Sequence, residues 1–323
     1  MSESEPLVTL FGGAGYIGCH LVRQLLEQGY RVRVFDCFLF GNDGLAGLDS
    51  PNLEVIEGDI CDTNAVSSAC KGSDCVVLLA AIVGHRIRDV RWTNTRSINF
   101  LASTVVLDAA IEHGASHFIF ASTNSVYGTQ SGVMYETAIP QPVSLYARLK
   151  LRMEERVMKS KRSSFHPTVL RIATCYGFSP RMRFDLAPNT LIRDAVCNKQ
   201  IHIENGEQSR SLIHVEDAAR AFSLCIGAHA NLVSGEIFNV GAGDQNLQVN
   251  QLANLVKTLV PDISILFTEG EADLTEYRLS CTKIEKVLDF TPQWTLEQGL
   301  THLRDCLIEG QFEDPFSLKY HNT

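Results

Sequence analysis

Tyr146 and Lys150, in the segment Tyr-Ala-Arg-Leu-Lys, are the pair of residues that points most directly to a catalytic reaction. Residues four apart share one face of a helix, so a phenol and an ammonium would face the same pocket. The positive charge of the lysine favours the phenolate and is expected to lower the pKa of the tyrosine. Such a tyrosine can take a proton from a substrate hydroxyl and return it in the reverse step. In isolation a Tyr and a Lys at this spacing are more often a solvated helix face, so the assignment depends on the motifs around them.

A glycine-rich turn near the amino terminus predicts a dinucleotide site. The segment Gly-Gly-Ala-Gly-Tyr-Ile-Gly has glycines at its first, fourth and seventh positions and lies between an apolar run and a helical pattern. The early glycines allow a tight turn and close approach of a pyrophosphate to the helix N-terminus, and the last lets the helix pack on the strand. We therefore expect cofactor contacts from Gly12, Gly15, Tyr16, Ile17 and Gly18.

Residues at the ends of the next predicted strands complete the cofactor site. Asp36, which ends the second strand, is expected to accept hydrogen bonds from the adenosine ribose. Its charge would repel a 2′-phosphate, so the sequence favours NAD over NADP. The third and fourth strands are followed or ended by further predicted contacts, namely Asp59, Ile60, Leu79, Ala80 and Ala81.

Predicted strands and helices alternate along the first half of the chain. Strands are expected at 7–11, 31–35, 53–57, 75–80, 118–121 and 168–172, with helices at 16–28, 63–70, 97–113 and 144–160. This alternation predicts an α/β fold, a Rossmann-type doubly wound parallel sheet with a smaller mixed α/β substrate-binding lobe. The first domain is expected to comprise residues 1–176 and about 212–245, and the lobe residues about 177–211 and 246–323.

Composition excludes several classes of protein. The chain has 323 residues, a formal net charge of −9 and 45% hydrophobic residues, and it lacks long Lys/Arg runs, which argues against nucleic acid or an anionic membrane as partner. No leader pattern or apolar run long enough for a membrane span is evident, so a cytoplasmic location is expected. The ten cysteines show no metal-ligand spacing and are interpreted as reduced and mostly buried, with no metal site expected.

These motifs resemble the extended short-chain dehydrogenase/reductase family, and within it the nucleotide-sugar epimerase and dehydratase group that includes UDP-glucose 4-epimerases. The resemblance runs from Gly12 to about Asp289 and is most specific at 12–18, 122–128, 146–150, 170–177 and 210–217. It implies that Thr123 completes a catalytic set with Tyr146 and Lys150, by bonding the substrate oxygen. It also implies that Asn99 helps to orient the lysine through backbone and water.

The resemblance further implies a nucleotide-diphosphate clamp in the second lobe. Arg210 corresponds to an arginine that meets the substrate diphosphate, and Asn189 to an asparagine that contacts it. A second diphosphate arginine, expected near 273–275, is absent, and Arg278 is its candidate substitute. Substrate contacts are also expected from Thr123, Asn124, Thr174 and Arg181. The segment 179–185, which carries Arg181, is interpreted equally well as a flap over the substrate or as a solvated surface loop.

The leading functional hypothesis is an NAD-dependent nucleotide-sugar 4-epimerase. Asn124 and Ser125 stand where the dehydratases of the group carry Asp-Glu and the decarboxylases a glutamate, so those two reactions are less favoured. A nucleotide-sugar 4-dehydrogenase or ketoreductase with the same catalytic residues is the alternative, and a non-catalytic NAD-sensing protein belongs to a different class. The resemblance also implies a homodimer, formed through the helices at 97–113 and 144–160.

Overall fold

The central element of the fold is a seven-stranded parallel sheet. The computed structural model describes residues 5–83, 95–268 and 276–322. The strands of this sheet are β1 (Leu7–Phe11), β2 (Arg31–Asp36), β3 (Leu53–Glu57), β4 (Cys75–Leu78), β5 (His117–Thr123), β7 (His166–Ile172) and β11 (Glu236–Val240). Their order across the sheet is β11-β7-β5-β4-β1-β2-β3. The predicted Rossmann-type doubly wound parallel sheet is therefore confirmed.

Helices cover both faces of this sheet. The α-helices within the described ranges are α1 (Gly18–Glu27), α2 (Thr63–Cys70), α3 (Ser103–Glu112), α4 (Leu145–Lys159), α5 (Ala187–Asn198), α6 (Val215–Gly227), α7 (Ala230–Val233), α8 (Val249–Leu259), α9 (Thr282–Leu288) and α10 (Leu296–Ile308). A π-helical segment, Ser97–Ala102, precedes α3, and short 3₁₀ turns lie at Asp43–Leu45, Asn124–Tyr127 and Leu318–Tyr320.

Smaller sheets form the rest of the molecule. A three-stranded sheet joins β8 (Thr174–Tyr176), β10 (Ser209–His214) and β12 (Asn246–Gln248), with β10 in its centre. Two parallel pairs join β9 (Gln200–Glu204) to β13 (Ser264–Thr268) and β6 (Ser131–Met134) to β14 (Glu276–Leu279). These elements supply the mixed α/β part that the sequence predicts.

The strand residues alternate between two hydrophobic cores. In β5, Phe118 and Phe120 pack in one core and Ile119 and Ala121 in the other, because successive side chains of a strand point to opposite faces. Both faces are covered, as parallel sheets require. The carboxyl ends of the strands are thereby held at one edge, where a doubly wound sheet binds its ligand.

The helix that carries Tyr146 and Lys150 begins at a defined cap. The Ser144 side chain accepts a hydrogen bond of 3.1 Å from the backbone N–H of Ala147, which satisfies one of the free donors of the first turn. Tyr146 therefore lies in the first turn of α4, beside the end of β5. The helix start fixes where the phenol enters the site.

Candidate active site

A cleft of about 810 Å³ opens at the carboxyl edge of the large sheet. Its walls come from the ends of β1, β2, β4 and β5, the start of α4 and the segment that follows β8. Every cofactor residue predicted from the sequence lines this cleft except Asn99, as the lining includes Gly12, Gly15, Tyr16, Ile17, Gly18, Asp36, Asp59, Ile60, Leu79, Ala80, Ala81, Tyr146 and Lys150. The cleft lies where a doubly wound fold binds a dinucleotide.

The glycine turn leaves no room for side chains where it meets the neighbouring strand. Gly12 has a φ of +91°, and a Cβ built on it would lie 2.6 Å from the backbone nitrogen of Ala80. Its own N–H donates to the carbonyl of Phe35 at 2.9 Å. Glycine at this position therefore allows both the backbone conformation and the close approach of β1 to the end of β4. The result is a bare backbone cradle at the start of α1.

Asp36 presents its carboxylate at the end of β2. Its Oδ2 accepts from the N–H of Ala14 at 3.0 Å and its Oδ1 from the N–H of Phe38 at 3.0 Å. Burial raises the pKa of Asp36, against the lowering effect of these hydrogen bonds. A carboxylate held by the backbone beside a glycine cradle fits the ribose and pyrophosphate of NAD. The residues present therefore suit the cofactor that the sequence predicts.

Tyr146 and Thr123 are brought together in the cleft. Burial raises the pKa of Tyr146 to about 12, while the charge of Arg183 and a hydrogen bond with Thr123 act to lower it. Thr123 ends β5, and its Oγ1 also accepts from the backbone N–H of Ser125 at 3.1 Å. Both side chains line the cleft, and the role of Thr123 in bonding the substrate oxygen stays a prediction.

Lys150 lies behind Tyr146 and is almost fully buried. Its Nζ donates to the carbonyl oxygen of Ala121 at 2.7 Å and lies 5.9 Å from the centre of the Tyr146 ring. Burial lowers the pKa of Lys150 to about 7, opposed by the negative charge of Glu154. The pKa of Tyr146 is raised rather than lowered as expected, and the charge that opposes burial there is that of Arg183. Desolvation of the phenol outweighs the nearby positive charge.

Asn99 acts on the backbone rather than on the cleft surface. Its Oδ1 accepts from the N–H of Ile82 at 2.8 Å and its Nδ2 donates to the Ile82 carbonyl at 2.7 Å. Asn99 lies in the π-helical segment 97–102, where the sequence pattern predicts ordinary α-helix. Single π turns occur often at functional sites. Here the π-helical segment places an amide that fixes the chain just after β4, while Lys150 is held by Ala121.

The predicted substrate residues divide into two groups. Thr123, Asn124, Thr174 and Arg181 line the cleft. The described lining does not include Asn189, Arg210 or Arg278. The Asn189 amide is fully buried and holds the chain, accepting from the N–H of Gly177 at 2.9 Å and donating to the Tyr16 hydroxyl at 3.0 Å.

The two outlying arginines lie on strands of the smaller sheets. Arg210 is partly buried on β10 and donates to the carbonyl of Ser209 at 2.9 Å. Arg278 is exposed on β14. The positions 273–275, where a second diphosphate arginine was expected, lie outside the described residues. Substrate contacts by Arg210 and Arg278 therefore stay predictions.

The segment 179–185 forms part of the cleft wall. Arg181 is buried, stacks 4.1 Å from the Phe40 ring and donates to the side chain of Asn322. Its pKa is lowered to about 10 by burial and by the charge of Arg183. Arg183 pairs with Asp185, with 3.0 Å between Nε and Oδ1. Of the two interpretations of this segment, the solvated loop is therefore ruled out.

Sequence reasoning missed several residues of the cleft. Arg193, His321 and Asn322 line it, although α5 and the last residues of the chain are far from the motifs. The C-terminal segment is fixed there by the N–H of Phe184, which donates to the carbonyl of Tyr320 at 2.9 Å. No local pattern distinguishes these positions, because only tertiary packing brings them to the site. Arg183, by contrast, lies in the segment 179–185 that the sequence pattern already singles out.

The described residues contain neither a membrane-spanning helix nor a cluster of metal-binding side chains. Among residues 5–83, 95–268 and 276–322, no helix is both long and apolar enough to cross a membrane. The same ranges hold no group of three or more His, Cys, Asp or Glu side chains arranged for a metal ion. Seven of the ten cysteines are buried, and all ten are free thiols.

Comparison with known proteins places the chain in a family. Residues 8–241 match the model of the NAD dependent epimerase/dehydratase family, and the chain belongs to that family. It is 30% identical to the uncharacterized UDP-glucose epimerase YtcB of Bacillus subtilis, over 91% of this chain and 96% of that protein. The predicted membership of the extended short-chain dehydrogenase/reductase group is confirmed.

Solved structures give the same result for the fold. The UDP-glucose 4-epimerase of Thermotoga maritima with UDP-glucose is 27% identical with a TM-score of 0.83, covering 95% of this chain and 100% of that one. The UDP-glucuronic acid 4-epimerase of Bacillus cereus, in complex with UDP-glucuronic acid and NAD, is 25% identical with a TM-score of 0.83, covering 94% and 99%. The protein is an enzyme of the nucleotide-sugar epimerase/dehydratase family, and its cofactor is NAD, as predicted.

Proposed function

We propose that this enzyme is a nucleotide-diphosphate-sugar 4-epimerase. The observation that carries the proposal is that Thr123 and Tyr146 both line the cleft, with Lys150 Nζ 5.9 Å from the centre of the Tyr146 ring. This arrangement suits the removal and return of a proton on a substrate hydroxyl. The relatives named above include two 4-epimerases of UDP-sugars, which supports the same assignment.

The mechanism follows from what each side chain can do. NAD, when bound, supplies the hydride acceptor and donor for the carbon that carries the hydroxyl. Thr123 holds the sugar oxygen by a hydrogen bond, and Tyr146 takes its proton as the carbon is oxidised. After the 4-keto sugar rotates, Tyr146 returns the proton to the oxygen on the opposite face. A phenol with a pKa of about 12 is protonated at neutral pH, which favours the return step and opposes the removal step. The positive charge of Arg183 lowers this pKa and so assists the removal step.

The substrate is proposed to be a UDP-sugar that extends across the cleft. Arg181 and Arg183 lie in the wall and can meet phosphate or sugar oxygens, because guanidinium groups bind such oxygens with a planar fork. The nucleotide part of the substrate is proposed to be bound by Arg210, Arg278 and Asn189. We also propose the division into an NAD domain and a sugar-binding lobe at the predicted boundaries, and a homodimer.

The proposal is tested with purified protein and a panel of UDP-, GDP-, CDP- and dTDP-sugars. NMR follows inversion at C4 while absorbance follows reduced nicotinamide. Inversion with no net reduced cofactor is expected for at least one UDP-sugar. Stoichiometric reduced nicotinamide with a keto sugar would move the assignment to a 4-dehydrogenase.

A matched pair of variants ties the activity to the site. Tyr146→Phe removes the phenol oxygen and is expected to lower the rate by roughly 10²-fold or more. Tyr135→Phe makes the same change at a side chain that is 53% exposed and is expected to leave the rate unchanged. Equal activity of the two variants would exclude Tyr146 as the acid–base group.

A further inference from the structure

A buried ion pair lies one helical turn beyond Lys150. Glu154 follows Lys150 by four residues on α4, so the two side chains share a face of that helix. Arg171 on β7 donates to Glu154 through Nη2 at 2.7 Å and through Nε at 3.1 Å to both carboxylate oxygens. The side chains are 4% and 2% exposed. The pair therefore lies in the interior directly behind the catalytic lysine.

The remaining partners of the pair connect it to the active-site strand. The Ser122 hydroxyl donates to Oε1 of Glu154, and Ser122 directly precedes Thr123. Arg171 Nη1 donates to the Tyr127 hydroxyl at 3.0 Å, which in turn donates to Asn239 at 2.7 Å. Glu154 is thus held on both sides, by the guanidinium of Arg171 and by the hydroxyl of Ser122.

A buried ion pair is by itself a weak source of stability, because desolvation offsets the attraction. Its position suggests a second role. Lys150 is buried, and burial favours its neutral amine, which would remove the positive charge beside Tyr146. Glu154 is the charge that opposes this effect. Arg171 on β7 pairs with Glu154, Ser122 is its polar contact from β5, and Lys150 lies four residues before it on α4.

We propose that Glu154, held by Arg171 and Ser122, is a positioning residue that favours the ammonium form of Lys150 beside Tyr146. The charge state of Lys150 is a property of the protein itself, and only its catalytic consequence rests on the proposed function. Arg171 limits the influence of Glu154, since its own positive charge lies against the same carboxylate. The two partners therefore act on Lys150 in opposite directions.

The test is a pH titration of Lys150 by NMR in the full-length protein labelled with ¹³C at the lysine side chains. The Lys150 signal is assigned by its loss in Lys150→Arg. Glu154→Gln is expected to lower the titration midpoint of Lys150 by about one pH unit or more, and Arg171→Met to raise it. Glu155→Gln, one residue further on the exposed side of α4, is the control and is expected to leave the midpoint unchanged.

A double variant covers the case in which one unpaired charge prevents folding. Glu154→Gln combined with Arg171→Met removes both charges, which proteins tolerate better than the loss of one partner. Its midpoint is expected between those of Glu154→Gln and the natural protein. A midpoint that both single variants move in the same direction, or a double variant that matches the natural protein, would overturn the proposal.

The pH profile of kcat links the charge of Lys150 to catalysis. Glu154→Gln is expected to move the alkaline limb of kcat to lower pH with little change in KM, which loss of fold would not do. If the NMR shifts appear but no nucleotide sugar is converted, the proposed function fails while the role of Glu154 stands. If a sugar is converted but the midpoint and the kcat limb do not move, the role of Glu154 fails alone.

Discussion

Acid stability of this enzyme is expected to depend on two buried histidines beneath the cleft. His20 lies on α1 and His214 ends β10, stacked on the Trp294 ring with 4.2 Å between ring centres. The Nε2 atom of each is buried and has no hydrogen-bond partner among the described residues. Burial lowers the pKa of His20 to about 4 and that of His214 to about 3. Positive charge on Arg23 adds to the effect at His20, and His20 and His302 add to it at His214.

The sign and size of the effect follow from these pKa values. Both folded values lie below the unfolded value of 6.5, so the unfolded chain binds more protons and stability is lost as pH falls below 6.5. At 1.36 kcal/mol per unit, the complete loss is about 3 kcal/mol for His20 and about 5 kcal/mol for His214. Between pH 7 and 4.5 the two together remove roughly 5 kcal/mol, which is much of the stability of an ordinary protein.

Urea unfolding at pH 7 and at pH 4.5 measures this loss. The His214→Asn variant is expected to be less stable than the natural protein at pH 7, because the ring stack is lost, but to lose about 2–3 kcal/mol less on acidification. His202→Gln, at an exposed position on β9, is the control and should keep the full pH dependence. An unchanged pH dependence in His214→Asn would show that burial of this ring does not govern acid unfolding.

Three further predictions concern the cleft. Gly12→Ala is expected to abolish NAD binding measured by calorimetry, because the new Cβ would lie 2.6 Å from the Ala80 nitrogen. Gly29→Ala is the control, since Gly29 also has a positive φ but a Cβ there would have nothing within 4 Å. This variant should bind NAD normally and lose only about 1–2 kcal/mol of stability. Lys150→Met is expected to stabilise the protein near pH 7 by on the order of a few kcal/mol, measured by urea unfolding. The reason is that the pKa of Lys150 is about 7 in the folded protein and 10.5 in the unfolded chain. The gain in stability should vanish as the pH rises towards 10.5. Asp36→Ala should weaken NAD binding and narrow the preference for NAD over NADP; an unchanged preference would exclude Asp36 as its source.

Much of the fold could be predicted because local patterns and tertiary structure agree. The helix 63–70 is predicted with the observed bounds, where Asp62 caps it by accepting from the N–H groups of Asn64 and Ala65. The helix expected at 97–113 exists, but its first part is π-helical, and apolar spacing does not distinguish the two forms. Agreement is thus best where a capping residue and an apolar face mark the same boundary.

The site was predictable where a motif carries its own geometry. Gly12 and Asp36 belong to one strand-turn-helix-strand unit, so their spacing along the chain fixes their positions in space. Contacts between distant segments had no such signal. Tyr277 donates to the carbonyl of Asn124 at 3.0 Å through the parallel pairing of β14 with β6, and Asn322 reaches Arg181 from the end of the chain. Long-range packing decides these contacts.

The pKa shift of Tyr146 is the clearest case in which the prediction from the sequence has the wrong direction. A lysine four residues from a tyrosine suggests a lowered phenol pKa, but the depth of burial reverses the result at Tyr146. Burial depth depends on how α4 packs against the sheet, which the spacing of two residues does not contain. The structure adds Glu154, whose charge raises the pKa of Lys150, and Arg171, which pairs with Glu154.

The most direct test of the proposed function follows a deuterium label at C4 of the UDP-sugar that the enzyme converts. Transient oxidation within one closed site predicts that the label stays at C4 of the inverted product, with no label in solvent and no reduced nicotinamide released. Label recovered in released reduced nicotinamide together with a keto sugar would contradict the 4-epimerase assignment. Loss of the label to water would contradict hydride transfer at C4 altogether.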